Sequence, residues 1–105
     1  QEKGETPVLR LGGIEVDIPR HRVTRDGAEV KLTPKEFDLV AFLARHPGKV
    51  LTHRHILRDV WGPAHEHDTQ YLRVYVGQLR TKLEADPANP VLIVTEPGIG
   101  YRAGE

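Results

Sequence analysis

The segment from Asp68 to Leu83 constrains the fold most, because it predicts one amphipathic helix with two different faces. Apolar side chains recur at helical spacing on one face, at Leu72, Val76, Leu79 and Leu83. We expect this stripe to face a hydrophobic core, with Asp68 as the N-cap of the helix. A chain built around such a helix must supply further elements that cover the stripe.

The opposite face of this helix carries cations, amides and a hydroxyl, and no carboxylate lies between Asp68 and Glu84. This face therefore indicates a negatively charged partner. Arg fits guanine O6 and N7, Gln fits adenine N6 and N7, and Val can contact a thymine methyl, so the pattern suits a DNA groove. A glycine inside a helix costs about 1 kcal/mol relative to Ala, and it would allow close approach to a phosphate backbone. A solubilising basic surface is the alternative. The residues concerned are Gln70, Arg73, Val74 and Gly77.

Composition excludes several classes of protein. The chain has 105 residues, 38% of them hydrophobic and 29% charged, which is ordinary for one soluble domain. It contains no cysteine and no serine, so disulfides, Cys-ligated zinc and serine hydrolase chemistry are excluded. No apolar run is long enough for a membrane span or resembles a signal peptide, so we expect no membrane association and a cytoplasmic protein. The formal net charge is zero, so any basic surface must be local.

The chain order predicts a sheet, three helices and a closing hairpin. Residues 1–7 are polar and read as a linker or terminal extension, and residues 8–105 as one domain. Short β-type runs between Val8 and Leu32 predict three or four antiparallel strands, with Asp26 and Gly27 forming a type I′ turn. Residues 91–95 and 99–102 predict the final hairpin.

Two helices are predicted between the sheet and the segment described first. Thr33 to Glu36 form a capping box with proline at the first helical position, which starts the first helix. Thr52 can cap a second, shorter helix that ends at Gly62 and Pro63. Trp61 is expected to pack between helices. The fold class is therefore α+β, with the layout of a winged helix-turn-helix.

Three strings carry a specific resemblance: LTPKEFDLVAFLARHPGKVLTHRHILRDVWG, DTQYLRVYVGQLRTKLE and TEPGIGYR. Together they strongly resemble the DNA-binding effector domain of OmpR/PhoB-type response regulators, over nearly the whole chain after the linker. Within that family the second and third strings most resemble the regulators of high-affinity potassium transport.

The resemblance implies roles for individual residues. The third helix would enter the major groove and read bases, and its neighbouring positions would contact phosphates or flanking groups. The base-reading residues would be Gln70, Arg73 and Val74; the phosphate or flanking residues Thr69, Tyr75, Gly77, Gln78, Arg80 and Lys82. The wing residues would be Thr95, Pro97, Gly98, Gly100, Tyr101 and Arg102, with the glycines allowing close approach to DNA and Tyr101 offering its hydroxyl to a phosphate. Pro97 stands where relatives often carry a minor-groove arginine, so we expect little A·T readout by the wing.

The resemblance also implies partners. These are double-stranded DNA with a direct-repeat promoter site, RNA polymerase, and a sensor histidine kinase acting through a receiver domain outside this chain. The polymerase-contact loop would be Gly62, Pro63, Ala64, His65, Glu66 and His67. The isolated domain would be monomeric and would form a tandem dimer on DNA.

Other functions receive less support. His53, His55, His65 and His67 lie near carboxylates, but no pair has the spacing of a helical metal site, so we predict neither metal nor cofactor. No phosphate loop or carboxylate pair indicates an enzyme. A winged-helix protein-interaction module remains the alternative. Such a module would bind its partner through exposed aromatic or aliphatic side chains on the third helix.

Overall fold

The computed structural model describes residues 8–104, and the predicted linker at residues 1–7 lies outside this range. The elements in chain order are β1 (Val8–Leu11), β2 (Ile14–Asp17), β3 (Arg22–Arg25), β4 (Ala28–Val30), α1 (Pro34–Ala44), β5 (Val50–Thr52), α2 (His53–Val60), a 3-10 turn (Pro63–His65), α3 (Thr69–Leu83), β6 (Ile93–Glu96) and β7 (Gly100–Ala103). The predicted winged helix-turn-helix, with its N-terminal sheet and C-terminal wing, is confirmed. No helix in this described range is long and apolar enough to cross a bilayer.

The N-terminal sheet has four antiparallel strands in the order β1-β2-β3-β4. The predicted turn between β3 and β4 is confirmed, since Asp26 and Gly27 both have positive φ, 52° and 85°. Ile14, Val16 and Val23 alternate along β2 and β3 and are buried, so one face of this sheet packs on the core.

Helix α1 is the central element and contacts both sheets and both other helices. Its start follows the predicted capping box. The Thr33 hydroxyl accepts the Glu36 N–H at 3.3 Å, and the Glu36 carboxylate accepts the Thr33 N–H at 2.9 Å. Apolar side chains on nearly every side of α1 are buried, which is expected of a helix enclosed by other elements.

Helices α2 and α3 form the helix-turn-helix. The Thr52 hydroxyl accepts the His55 N–H at 3.0 Å, so the predicted cap of α2 is confirmed. The predicted apolar stripe of α3 is confirmed too, because Leu72, Val76, Leu79 and Leu83 are all buried. Asp68 occupies the predicted N-cap position of α3, but its carboxylate makes no hydrogen bond to the helix start. It lies 2.9 Å from Nδ1 of His65 instead.

The C-terminal sheet differs from the two-stranded prediction. It has three antiparallel strands in the order β5-β7-β6, and β5, which the sequence did not reveal, pairs with β7. Gly100 makes this pairing possible, because a Cβ at this buried position would overlap the carbonyl oxygen of Leu51. The wing is therefore attached directly to the strand that leads into α2.

The predicted first hairpin strand starts two residues too early because a carboxylate occupies its amides. Glu84, which is buried, accepts the N–H groups of Val91, Leu92 and Ile93 at 2.9–3.1 Å. The amides of Val91 and Leu92 therefore donate to Glu84 and not to a strand partner, and β6 begins at Ile93. The end of α3 is thus tied to the entry of the wing.

Candidate nucleic-acid interface

The outer face of α3 is exposed along its length. We define this outer face as Gln70, Arg73, Val74, Gly77, Gln78 and Thr81, all of which are exposed. Helix residues 69–83 include no carboxylate, and Val74 is 56% exposed although it is apolar. The surface is therefore cationic and polar, with one apolar contact point.

The three predicted base-reading residues project from this outer face. Across residues 8–104, Gln70 and Arg73 make no side-chain hydrogen bond or ion pair, whereas the cations nearer the C-terminal end of α3 do. Their donors are thus free for an external partner. Apart from the adjacent backbone of its own helix, no atom of residues 8–104 lies within 4 Å of the position of a Cβ added at Gly77. Packing within the fold therefore does not explain a glycine at this position. We favour the interpretation that Gly77 allows close approach to DNA.

Arg80 and Lys82, which the resemblance places at phosphate or flanking positions, both have partners within the fold. Arg80 donates to the carbonyl oxygen of Ile93 from Nε (3.1 Å) and Nη2 (2.8 Å) and to the Thr95 hydroxyl at 2.7 Å. Lys82 Nζ lies 2.6 Å from Oε1 of Glu36, which is 1% exposed. The two cations fix α3 against the wing and against α1.

Tyr75 also lies closer to the interior than expected. Its ring is half-buried and packs on Trp61, with 5.1 Å between ring centroids, and on Tyr71 at 5.3 Å. Trp61 packs between α2 and α3, as predicted. Thr69, in the first turn of the helix, is half-buried, and Gln78 is exposed.

In the wing, the exposed tip is formed by Pro97 and Gly98, and Gly98 has a φ of 74° that the turn requires. Two wing expectations need correction. Gly100 is buried and makes room for Leu51 rather than for DNA. Tyr101 is only 5% exposed, and its ring lies beneath the Arg80 guanidinium at 5.8 Å, so it supports the wing from within.

Thr95 and Arg102, the remaining predicted wing residues, already have partners. Thr95 accepts the hydrogen bond from Arg80, and Arg102 Nε donates to the Glu96 carboxylate at 2.8 Å. The wing therefore presents its tip and its backbone rather than a free cation.

A cleft of about 520 Å³ separates α3 from the wing, and we call it the helix–wing groove. Its lining includes Arg73 and Gly77 from α3, Pro97 from the wing tip, and His53 from the start of α2. Sequence reasoning assigned His53 only to a possible metal site. The cap at Thr52 predicts that α2 begins at His53, but the position of His53 beside the wing depends on β5, which the sequence did not reveal.

The loop predicted to contact polymerase contains the 3-10 turn, and its residues Pro63, Ala64, His65 and His67 are exposed. Gly62 has a φ of 116°, which requires glycine, and Glu66 pairs with Arg54 at 3.2 Å. The nearby histidines pair separately with carboxylates, and no group of three metal-ligating side chains occurs within residues 8–104.

Comparison with known proteins matches this geometry to a family. The family described as "Transcriptional regulatory protein, C terminal" matches residues 27–103. This chain belongs to the OmpR/PhoB family of DNA-binding effector domains. The family consists of transcriptional regulators rather than enzymes.

Relatives and solved structures agree on this assignment. "DNA-binding response regulator MtrA" of Mycolicibacterium smegmatis is 47% identical over 97 residues, covering 92% of this chain and 42% of that protein. "Transcriptional regulatory protein KdpE" of Mycobacterium tuberculosis is 48% identical over 98 residues, covering 93% and 43%. The chain therefore spans less than half the length of these relatives. The DNA-binding domain of RstA from Klebsiella pneumoniae, solved in complex with the RstA box, superposes with a TM-score of 0.84 at 25% identity over 92% of this chain and 96% of that one.

Proposed function

We propose that this effector domain reads a promoter through the outer face of α3, placed in the major groove, while the wing lies over the adjacent minor groove. The observation that carries the proposal is a pair of polar side chains, Gln70 and Arg73, that have no hydrogen-bond partner among residues 8–104 and lie beside the exposed Val74 on a helix face without carboxylates. In an effector domain that binds DNA, donors left free by the fold are the groups available to base edges.

Each base-reading residue has a distinct proposed contact. The guanidinium of Arg73 pairs with guanine O6 and N7, the amide of Gln70 with adenine N6 and N7, and Val74 contacts a thymine methyl. Thr69 and Gln78 contact flanking phosphates from the two ends of the outer face. Gly77 allows the helix to lie deep enough for these contacts.

The wing is proposed to position the domain rather than to read sequence. Its tip is Pro97, and Arg102, the cation on its strands, is paired with Glu96. Without a free arginine, readout of the minor groove is expected to be weak.

We further propose that the domain is the output half of a two-component regulator. The relatives extend well beyond the matched region, which leaves room for a receiver domain that a sensor histidine kinase phosphorylates. Phosphorylation would bring two effector domains onto direct repeats about 10 base pairs apart, and the isolated domain would be monomeric and bind weakly. The exposed loop Gly62 to His67 is the proposed contact with RNA polymerase, and such a regulator acts in the cytoplasm.

Control of potassium-transport genes is the more specific proposal. It is supported by the resemblance of residues 69–84 and 95–102 to potassium-transport regulators and by the KdpE relatives. MtrA relatives match at the same level, so the regulon must be decided by experiment. Mapping the genes adjacent to the coding sequence, followed by footprinting of their promoters, tests this proposal.

Fluorescence anisotropy tests the proposed DNA reading. The domain is titrated onto a direct-repeat duplex from its own promoter region and onto a scrambled duplex, at two salt concentrations. Wild type should prefer the repeat and weaken steeply with salt, because each neutralised phosphate releases counterions. Arg73→Ala should remove about 1–3 kcal/mol of the preference while changing nonspecific binding little. Arg45→Ala is the matched control, because Arg45 is an exposed cation at the end of α1.

Two outcomes would count against the proposal. An Arg73→Ala variant with unchanged preference would remove Arg73 from base reading. A wild-type domain that binds neither duplex would favour the protein-interaction module, for which Tyr71 (46% exposed) and Val74 are the exposed anchors on α3.

A further inference from the structure

The helix–wing groove holds a histidine that the proposed DNA contacts do not use. His53 is half-buried at the first turn of α2, and its ring packs edge-on against Tyr101 with 5.4 Å between centroids. Its backbone N–H donates to the carbonyl oxygen of Ile99 at 3.2 Å, so the start of α2 is fixed against the wing. The backbone of His53 is therefore fixed against the wing, and its imidazole packs on Tyr101.

The groove around this imidazole is cationic. Arg73 and Arg80 face it from α3, and the guanidinium of Arg80 is occupied by Ile93 and Thr95. On the wing side the charged group is Glu96, which is paired with Arg102. Tyr101 supplies the remaining titratable group from β7, and Arg54 and His55 follow on α2 itself. The groove thus offers positive charge that the fold leaves uncompensated.

The free domain disfavours protonation of His53. Burial lowers the pKa of His53, and the neighbouring Arg73 cation lowers this pKa further. A phosphate in the groove would have the opposite effect, because an anion within hydrogen-bond reach stabilises the imidazolium form. The imidazolium has an N–H donor on both ring nitrogens. The neutral ring has one donor and one acceptor nitrogen, and the acceptor cannot donate to a second phosphate oxygen.

We propose that His53 is a further DNA-binding residue, which takes up a proton from solvent and donates a hydrogen bond to a backbone phosphate seated in the helix–wing groove. This inference rests on the proposed docking of α3 and the wing. It makes DNA affinity depend on pH through a single side chain that lies outside α3.

The direction of the pH effect follows from the two states of His53. Its pKa is higher in the complex than in the free domain, so DNA affinity rises as pH falls through the pKa of the complex. The rise stops below the pKa of the free domain, where both states are protonated. For one proton the limit is about tenfold in affinity per pH unit.

The experiment measures anisotropy on the direct-repeat duplex at about pH 6 and about pH 8, the range in which histidine titrates. Four proteins are compared: wild type, His53→Gln, His53→Arg, and His21→Asn as the matched control. His21 is an exposed histidine in the turn between β2 and β3, stacked on Phe37, and its φ of 50° is one that asparagine tolerates. Circular dichroism checks that each variant is folded.

Wild type and His21→Asn should bind severalfold more tightly at the lower pH. Their salt dependence should also be steeper there, by about 0.9 in the slope of log K against log salt, as expected for one further neutralised phosphate. His53→Gln should lose most of this pH dependence. His53→Arg should bind tightly at both pH values, which a purely structural role of the imidazole would not produce.

A pH dependence that persists in His53→Gln would overturn the inference, as would weak binding by folded His53→Arg at both pH values. Both results would leave the proposed function intact, because the domain would still bind the duplex. If wild type fails to bind DNA at either pH, the proposed function itself fails.

Discussion

We expect Gly77→Ala to raise the stability of the domain and to lower its affinity for DNA, so this substitution separates the requirements of the fold from those of DNA binding. Gly77 lies in the middle of α3, on the outer face, and an added Cβ would have no atom of residues 8–104 within 4 Å apart from the adjacent backbone of its own helix. Alanine is favoured over glycine in a helix interior by about 1 kcal/mol. With no clash to offset this gain, the variant should be more stable by about 1 kcal/mol, which raises the Tm by about 4–8 °C for a domain of this size.

DNA binding should change in the other direction. If the helix lies close to the phosphate backbone at Gly77, a methyl group there would push α3 away from the groove. We expect affinity for the direct-repeat duplex to fall about tenfold, equivalent to about 1.4 kcal/mol. Thermal unfolding followed by circular dichroism measures the first effect, and anisotropy measures the second.

Gly98→Ala is the matched control. Gly98 has equally open space for an added methyl group but a φ of 74°, so alanine there should lower stability through backbone strain alone. If Gly77→Ala is stabilised and still binds the duplex as well as wild type, the glycine does not face the DNA backbone. That result would refute the proposed depth of α3 in the groove.

Three further predictions concern the supports of this interface. Glu84→Ala leaves three amides without their buried acceptor and should cost about 3 kcal/mol of unfolding free energy in urea titrations. Glu15→Ala removes a carboxylate whose side chain is 45% exposed and should cost under about 1 kcal/mol; equal losses would contradict the role assigned to Glu84. Pro97→Arg places a cation at the wing tip and should tighten duplex binding severalfold and steepen its salt dependence, while a weakened complex would argue against wing docking. Although burial raises the pKa of Glu36, the hydrogen bond from Lys82 and the helix cap outweigh it and lower this pKa. The ionised Glu36 carboxylate therefore stabilises the fold above about pH 4.3, the ordinary pKa of Glu, and this stabilisation is lost as pH falls through the lowered pKa. The Tm of Glu36→Gln should fall less steeply in acid than that of wild type. An unchanged acid profile would show that Glu36 does not cause the loss of stability in acid.

Much of the fold could be predicted because its signals are local. The capping box at Thr33, the paired positive φ values at Asp26 and Gly27, and the stripe of α3 each depend on residues within one turn or one helix. Local chemistry of this kind is visible in a single sequence. The same holds for the outer face of α3, whose exposure follows from the stripe on its other side.

What the sequence did not reveal depends on contacts between distant residues. Strand β5 exists because Gly100 lets β7 approach Leu51, a pairing across about half the chain. The cations of α3 looked equivalent in sequence, yet tertiary partners occupy Arg80 and Lys82 and leave Arg73 free. His53 joins the groove for the same reason. Which cation is available for DNA is therefore a property of the tertiary structure.

An NMR titration of the ¹⁵N-labelled domain with its direct-repeat duplex, following each backbone amide, tests the docking of α3 and the wing on DNA without any substitution. We expect the largest shift changes on α3 between Gln70 and Thr81, on the wing tip around Gly98, and on His53, with little change in the N-terminal sheet. Changes concentrated on the N-terminal sheet or on the loop Gly62 to His67, with α3 unperturbed, would contradict this docking.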